Sequence, residues 1–282
     1  MPGYPPLSMR WRRLANIPSA VLFSDYDVRI GEVLPFLDPT RFRYAVSDFQ
    51  NPALAMTEFD CILPFQLKDY FHLWARGDLE HLNCLIPTRD VMEVLDNKYE
   101  CNRFLAARGF GAYVPAMLGN EDIARPDTWP IIYKKKYDVY GTQSFLCHSR
   151  AELEAIEAAT VATEYFRQEY VPGETEYATH MLSVGGRVAY HSTFRYTFDT
   201  AYFVKGVRWK PPLPEMCECP CLARLAPILG ELDYTGTSCF NYKMVAGEPK
   251  LFEINPRFGQ SLARDINNYL DAYIAAVQGG RR

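Results

Sequence analysis

The pattern of apolar residues changes character partway along the chain, and that change limits the fold more than any other feature. Up to residue 109, short apolar runs alternate with stretches of helical spacing. Ala20–Phe23, Arg43–Val46, Phe59–Leu63 and Leu82–Ile86 read as strands, with helices over Val28–Leu37 and Leu67–Arg76 between them. Such alternation predicts a small parallel sheet, because each parallel strand needs a crossover to bring the chain back. Thr88 is placed to cap a helix over Asp90–Leu95, and Lys98–Arg108 forms another that stops at Gly109. A polar, proline-bearing connector covers Gly111–Pro130. From Ile131 the pattern turns to paired strands. Ile131–Lys135 and Ser144–Cys147 come first, then a helix over Arg150–Thr160 and a strand over Tyr165–Val171. Tyr177–Val184 and Val188–Tyr196 meet at Gly185-Gly186, and Cys239–Val245 and Lys250–Ile254 meet around Ala246-Gly247-Glu248. Turns of this kind between alternating runs predict hairpins. Residues 201–216 read as a loop, with helices over Pro220–Leu229 and Ser261–Ala276 after it.

Composition narrows the function. The 282 residues are 48% hydrophobic and 23% charged with a net charge of −4, the profile of a globular chain. No basic excess points to nucleic acid or an anionic membrane, and the Arg10, Arg12, Arg13 cluster reads as a solvated edge. No run reaches the roughly 18 apolar residues of a membrane helix. Leu14–Phe23 is broken by Asn16, Pro18 and Ser19, so it does not read as a signal peptide, and the expected location is cytoplasmic. The eight cysteines are then expected to stay reduced. Cys217, Cys219 and Cys221 lack a second cluster at zinc-ligand spacing and read as ordinary thiols near a helix start. His148, His180 and His191 show no ligand spacing and read as strand or turn residues.

The chemistry concentrates in Leu251-Phe-Glu253-Ile-Asn255-Pro256-Arg257-Phe-Gly259. Side chains alternate along a strand, so Glu253 and Asn255 share one face, and Asn241 on the preceding strand can join them. Three oxygen ligands suit Mg²⁺, which keeps several waters and shares phosphate oxygens. Arg257 adds a planar fork for phosphate or carboxylate. A solvent-facing glutamate beside an asparagine-proline turn would give the same pattern, so the neighbouring segments decide between the two.

Those segments resemble the ATP-grasp enzymes, especially their carbamoyl-phosphate-synthase-like and biotin-carboxylase-like branch. Glu253-Ile-Asn255-Pro-Arg257 is similar to that family's metal-binding strand. Asn97-Lys98, opening a helix, resembles its first nucleotide lysine, and Pro130-Ile-Ile-Tyr-Lys134 its proline–apolar–lysine strand. Tyr140-Gly141-Thr142-Gln143-Ser144 falls where its glycine-rich phosphate loop belongs. Gln168-Glu169-Tyr170-Val171-Pro-Gly173-Glu-Thr-Glu176 resembles its adenine hinge and ribose-binding carboxylate. The likeness spans residues 88–278. Asn241 stands where the family usually has an acid or a glutamine, Lys135 where it has proline, and Gly141 is alone where several glycines are common.

The resemblance implies an α/β fold: a small parallel-sheet domain over residues 1–96, then a two-lobed α+β ATP-grasp module over 97–282. The phosphate-loop lobe would cover about 110–172 and the metal-binding lobe about 173–278. It implies an ADP-forming ligase that joins a small-molecule carboxylate to an amine through an acyl phosphate, using ATP and Mg²⁺, with Mn²⁺ as a substitute. A small-molecule kinase and a non-catalytic nucleotide-binding protein remain alternatives, and a homodimer is left open. Arg257 and Lys134 would be catalytic. Lys98, Lys134, Gly141, Glu169, Tyr170, Val171 and Glu176 would hold the nucleotide, and Asn241, Glu253 and Asn255 the metal. Arg195, Lys205, Arg208, Lys210, Ser261 and Arg264 are candidates for the substrate. Residues 202–214 are expected to form a mobile cover carrying three of these.

Overall fold

Residues 19–24 are apolar except at their ends, and all but the first are buried. A strand without a polar face must be covered on both sides, as at the centre of a parallel sheet. It is β1 (Ser19–Ser24), followed by helix α1 (Asp27–Val33). It pairs in parallel with β2 (Phe42–Ser47) and β3 (Cys61–Leu63), in the order β2-β1-β3. Helix α2 (Leu67–Trp74) starts where the Asp69 carboxylate accepts from the Phe65 and Gln66 backbone N–H groups at 2.9 and 3.0 Å. The structure, a computed structural model, describes residues 18–138, 141–206 and 211–279. Arg10, Arg12, Arg13, Tyr140, Arg208, Lys210 and the tail from 280 lie outside the described residues.

Helices α3 (Arg89–Asp96) and α4 (Lys98–Leu105) lead into a three-stranded antiparallel sheet of order β5-β4-β6. Its strands are β4 (Ile131–Lys135), β5 (Ser144–Cys147) and β6 (Tyr165–Glu169), and helix α5 (Arg150–Ala158) lies between the last two in sequence. A five-stranded antiparallel sheet follows, of order β11-β10-β7-β8-β9. It contains β7 (Thr175–Val184), β8 (Arg187–Thr197), β9 (Glu215–Cys217), β10 (Gly236–Val245) and β11 (Glu248–Asn255). Helices α6 (Leu222–Glu231) and α7 (Ile266–Gly279) complete the chain. Both predicted hairpins form. At the first, Gly185 and Gly186 have φ of 54° and 71°, and a Cβ on Gly186 would lie 2.7 Å from the Gly230 Cα. Glycine is required there by conformation and by space. Among the described residues, no helix is long and apolar enough to cross a membrane.

The structure departs from the sequence reading in several places, among them the connector over Gly111–Pro130, which contains a short helix at Asn120–Ile123. Leu82–Ile86 is not a strand: only Cys84 forms a bridge, parallel to Ile62. Side chains take up backbone groups that a ladder would have used. The Leu85 N–H donates to the Tyr273 hydroxyl at 2.6 Å, and the Asn83 amide donates to the Phe59 carbonyl at 2.7 Å. The region read as loop contains β9, which pairs with Thr193–Arg195 of β8. The closing helix begins at Ile266, because Gln260–Asp265 forms a tighter 3₁₀ turn. Thr88 occupies the cap position without a side-chain bond, whereas Asn97 caps α4 by accepting from Tyr99 and Glu100 N–H at 3.1 and 3.2 Å.

The first sheet does not complete its own core. Val21, Phe23 and Leu63 pack against Phe258, Leu262, Ile266, Tyr269 and Tyr273 from the other end of the chain. Their neighbours Leu22 and Ile62 face the opposite way, into a cluster with Phe49, Met56, Leu73 and Leu82. Tyr273 is the polar tie in the first of these layers. Tyr273→Phe leaves the Leu85 N–H without its partner, and should cost about 1–3 kcal/mol in urea-denaturation stability. An unchanged midpoint would mean that this hydroxyl does not hold the first sheet to α7.

Candidate active site

Residues of β4, β5 and β6 line one side of a cleft of about 370 Å³, and residues of β7, β8, β10 and β11 line the other. Strand periodicity supplies the lining. Glu176, Ala178 and His180 alternate along β7, and Cys239, Asn241 and Lys243 along β10, so each strand gives one face to the cleft. The intervening Thr179 faces away, where its hydroxyl meets Cys219 Sγ at 3.6 Å and the Tyr242 hydroxyl at 3.0 Å. The cysteine triplet therefore belongs to the opposite face. Among the described residues, no three His, Cys, Asp or Glu side chains gather as a metal cluster.

Glu253 is the centre of the cleft. Asn241 stands directly opposite it in the β10–β11 register. Glu253 Oε1 accepts from Asn241 Nδ2 and from Asn255 Nδ2, both at 2.9 Å, and Oε2 lies 3.3 Å from Lys98 Nζ. Burial alone would push this carboxyl up. Lys98, the Asn255 amide, Arg257 and Lys134 outweigh burial and bring it down to about 2. Lys134, in the interior of β4, donates to the Phe252 carbonyl at 3.0 Å. Burial first, and then the neighbouring Lys98, lower its ammonium to about 8. Arg257 donates to Asn255 Oδ1 at 3.2 Å. One carboxylate and two amides thus share a face, as the sequence pattern requires. Rotation of each amide presents its oxygen beside the carboxylate, and that hard, all-oxygen set fits Mg²⁺.

The nucleotide candidates line the same cleft. Glu176 is buried in an ion pair with Lys205, whose ammonium lies 4.5 Å from the centre of the Tyr196 ring. Burial opposes the Lys205 charge, but Glu176 and Tyr196 more than offset it and raise its pKa. Glu169 ends β6, and Tyr170 and Val171 follow it as a strip along the cleft. Tyr170 hydroxyl accepts from Phe203 N–H at 2.7 Å, tying this strip to residues 201–203. The Glu169 carboxylate accepts from Ala116 N–H at 3.1 Å. Gly141 has φ of 62°, and a Cβ there would sit 2.5 Å from the Lys205 carbonyl oxygen. The loop carrying Gly141 therefore touches the segment read as a cover. Lys135 pairs with Glu164 at 3.0 Å, so in the lysine run only Lys134 lines the cleft.

The substrate candidates divide. Lys205 and Ser261 line the cleft. Arg195 and Arg264 do not. Arg195 follows the strand alternation away from Tyr196 and pairs with Glu215 at 2.7 Å, and Arg264 is exposed above the Phe36 ring. The sequence reading missed Lys243, His180 and Arg29. Lys243 is buried and donates to the Val171 carbonyl at 2.9 Å. His180 is buried, with Nε2 2.8 Å from Ser261 Oγ. A Cβ on Gly259 would lie 2.4 Å from its Cε1 and 3.0 Å from its Nδ1, so Gly259 must be glycine for the ring to fit. Its Nδ1 has no hydrogen-bond partner. A buried lone pair is cheaper to leave unpaired than a buried N–H, so the proton belongs on Nε2 and is donated to Ser261. Gly259, read only as the end of a motif, was the available signal.

By sequence alone, no family model and no curated protein matches the chain. Solved structures do. D-alanine–D-alanine ligase from Bacillus anthracis, complexed with ATP, is similar over 94% of this chain and 98% of its own, at 13% identity and a TM-score of 0.64. An L-amino acid ligase from Bacillus licheniformis is similar over 88% of this chain and 68% of its own, at 18% identity and 0.51. N5-carboxyaminoimidazole synthase from Aspergillus clavatus, in complex with ADP and its ribonucleotide, covers 86% and 71%, at 13% identity and 0.53. The chain has the ATP-grasp fold.

In the folded chain the surrounding cations and the Asn255 amide hold the Glu253 carboxyl down to about 2, below its ordinary value of 4.5. A depressed carboxyl stabilises the fold above its unfolded pKa, and loses that contribution as pH falls through its folded value. Glu253→Gln should therefore flatten the fall in urea stability between roughly pH 5 and pH 2. Equal slopes for the variant and the native protein would mean that these cations do not hold the carboxylate.

Proposed function

We propose that the chain is an ATP-dependent ligase that joins a small-molecule carboxylate to an amine or related nucleophile. The observation that carries this is the Glu253 face: one carboxylate and two amides on adjacent strands, met by Lys98, Lys134 and Arg257 from separate parts of the chain. A structural ion pair would need one cation. Three cations against Glu253 and the neighbouring Asp96 leave a surplus of positive charge, which suits a polyanion such as a triphosphate.

In this reading Glu169, Tyr170 and Val171 present backbone groups to adenine, and Glu176 accepts from the ribose hydroxyls. Lys205 now occupies Glu176, so nucleotide binding requires it to swing toward the phosphates. Lys98 and Lys134 neutralise phosphate charge, and Gly141 lets backbone N–H groups approach phosphate oxygens. Asn241, Glu253 and Asn255 would hold Mg²⁺, which offsets charge between the β- and γ-phosphates when bound. Lys243 braces the Val171 carbonyl from within the cleft.

The substrate carboxylate attacks the γ-phosphorus, the bond to the bridging oxygen of ADP breaks, and an acyl phosphate forms. The amine then attacks the acyl carbon, phosphate leaves with the bonding pair, and the amine's proton is lost. Arg257 would stabilise the charge on the phosphoryl oxygens in the first step and on the tetrahedral oxyanion in the second. No side chain is needed as a covalent nucleophile.

The test is thermal melting followed by phosphate release. Mg²⁺ and ATP together should raise Tm, with ATP at 100 times its Kd adding about 2.7 kcal/mol, and Mg²⁺ alone should do nothing because Glu253 is the sole acidic ligand. Release of free phosphate should require an acid and an amine together. Glu253→Gln should lower that rate by about 100-fold or more while the protein stays folded. Absence of any shift with Mg²⁺ and ATP would remove the basis of this function, and phosphate transfer to a hydroxyl compound would make the protein a kinase.

A further inference from the structure

The cysteine triplet between β9 and α6 has no part in the proposed reaction. Cys217 ends β9, Cys221 occupies the cap position of α6, and Cys219 lies between them. All three are free thiols in different surroundings. Cys221 is 3% exposed and belongs to the core cluster of Leu225 and Tyr242. Cys219 is half-buried and sits between the exposed residues Glu218 and Pro220. Of the two, Cys219 is the one a solute meets first.

Four donors converge on the Cys219 sulfur. The Cys221 thiol and the Cys221 backbone N–H both donate to it. The Thr179 and Tyr242 hydroxyls approach it from β7 and β10, at 3.6 and 3.7 Å. These hydroxyls also lie 3.0 Å from each other, and the Thr193 hydroxyl lies 2.9 Å from that of Thr179. With Thr193 donating to Thr179, the Thr179 and Tyr242 hydrogens are both left for the sulfur. The neighbouring arginines are neutralised, Arg195 by Glu215 and Arg224 by Glu248. The site is therefore built from neutral donors.

A thiolate accepts several such bonds more strongly than a thiol does, so this arrangement favours the charged form. The Cys221 thiol is the largest contributor, and the Cys219 thiol is held below its ordinary range although burial opposes it, while Cys221 is raised. Cys61, Cys84, Cys101, Cys147, Cys217 and Cys239 are all raised, each of them first by burial. One thiol is thus set apart as a nucleophile, and a second thiol is already hydrogen-bonded to it.

We propose that Cys219 and Cys221 form a thiol–disulfide exchange site for low-molecular-weight disulfides. The Cys219 thiolate attacks one sulfur of the small disulfide. Its S–S bond breaks, and one small thiol leaves with the bonding pair and takes up a proton. A mixed disulfide now stands on Cys219. Cys221 loses its proton and attacks Cys219 Sγ, the second small thiol leaves in the same way, and a disulfide closes across Pro220. Two protein thiols are oxidised, and the small disulfide is reduced to two thiols. An excess of small thiol reverses both steps, as redox-sensing cysteines require. The site lies on the face of β7 and β10 away from the cleft, so the exchange needs no nucleotide.

The probe is hydroxyethyl disulfide, which is neutral and is not repelled by Glu218. Reduced protein is treated with it, quenched in acid, digested and mapped by mass. The native chain should lose the two thiol hydrogens, carry a Cys219–Cys221 link, and regain both thiols with dithiothreitol. Cys221→Ser should stop at a single hydroxyethylthio group on Cys219. Cys219→Ser should leave Cys221 a thiol, and Cys217→Ser should behave as the native chain. Under limiting iodoacetamide, Cys219 of the native chain should react about 10-fold or more faster than any other cysteine, and urea should abolish that preference. This labelling uses native protein alone, so it decides the matter even where a variant folds poorly. First labelling at another cysteine, a mixed disulfide that persists on Cys219 of the native chain, or oxidation of Cys221 in Cys219→Ser would overturn the assignment.

Discussion

A carboxylate cannot be buried without compensation, and Glu253 is compensated from three directions. Lys98 reaches it from the start of α4, Asn241 from the neighbouring strand, and Asn255 from two residues further along its own. Lys134 and Arg257 add charge from β4 and from the turn after β11. Much of the molecule can be understood as support for this arrangement. Asn97 caps α4 and thereby aims Lys98. The β10–β11 register sets Asn241 opposite Glu253, with a bulge between Asn241 and Tyr242. Tyr70 donates to the Pro256 carbonyl at 2.8 Å, which ties the turn after β11 to α2.

That tie has a counterpart in the core. The face of the first sheet that bears Val21 and Phe23 is covered by Phe258 and by helix α7. The two ends of the sequence are therefore one packed layer, and the turn carrying Arg257, Phe258 and Gly259 is gripped between sheet and helix. This is how α1 comes to supply Arg29 to a cleft whose other walls lie more than a hundred residues further on. Pinning the turn also pins His180 against Gly259, and through it the orientation of the Ser261 hydroxyl.

The cleft is held at some expense to the fold. Lys134 and Lys243 are both buried with ammonium groups lowered to about 8, chiefly by burial. Their backbone partners, the Phe252 and Val171 carbonyls, satisfy a proton each but carry no full charge. Groups in that condition gain when an anion arrives, so ligand binding and stability are coupled through the same side chains. Lys205 is the exception. Its bond to Glu176 gives it a full counter-charge in the free protein, and a ligand must compete with that bond.

Short-range features were legible in the residues themselves. Turn residues marked both hairpins: only glycine accepts the turn at Gly185-Gly186 without strain and with Gly230 so close, and Gly247 takes a positive φ of 83° in the second. Period-two spacing put Glu253 and Asn255 on one face, and the five motifs in order pointed to the ATP-grasp fold that the structure has. The same periodicity, applied to Tyr196, would have turned Arg195 away from the cleft. What depended on contacts distant in sequence was not legible. Leu82–Ile86 has strand composition, but Tyr273, far along the chain, takes up its backbone groups. Three residues, Glu215–Cys217, form a strand only because β8 offers an open edge. His180, Lys243 and Arg29 look like ordinary strand and helix residues until packing buries them around one cavity. Local sequence determines backbone conformation and which side of an element a residue takes. Only the tertiary structure decides which sides meet, and burial there is what turns a charge or an imidazole into part of a site.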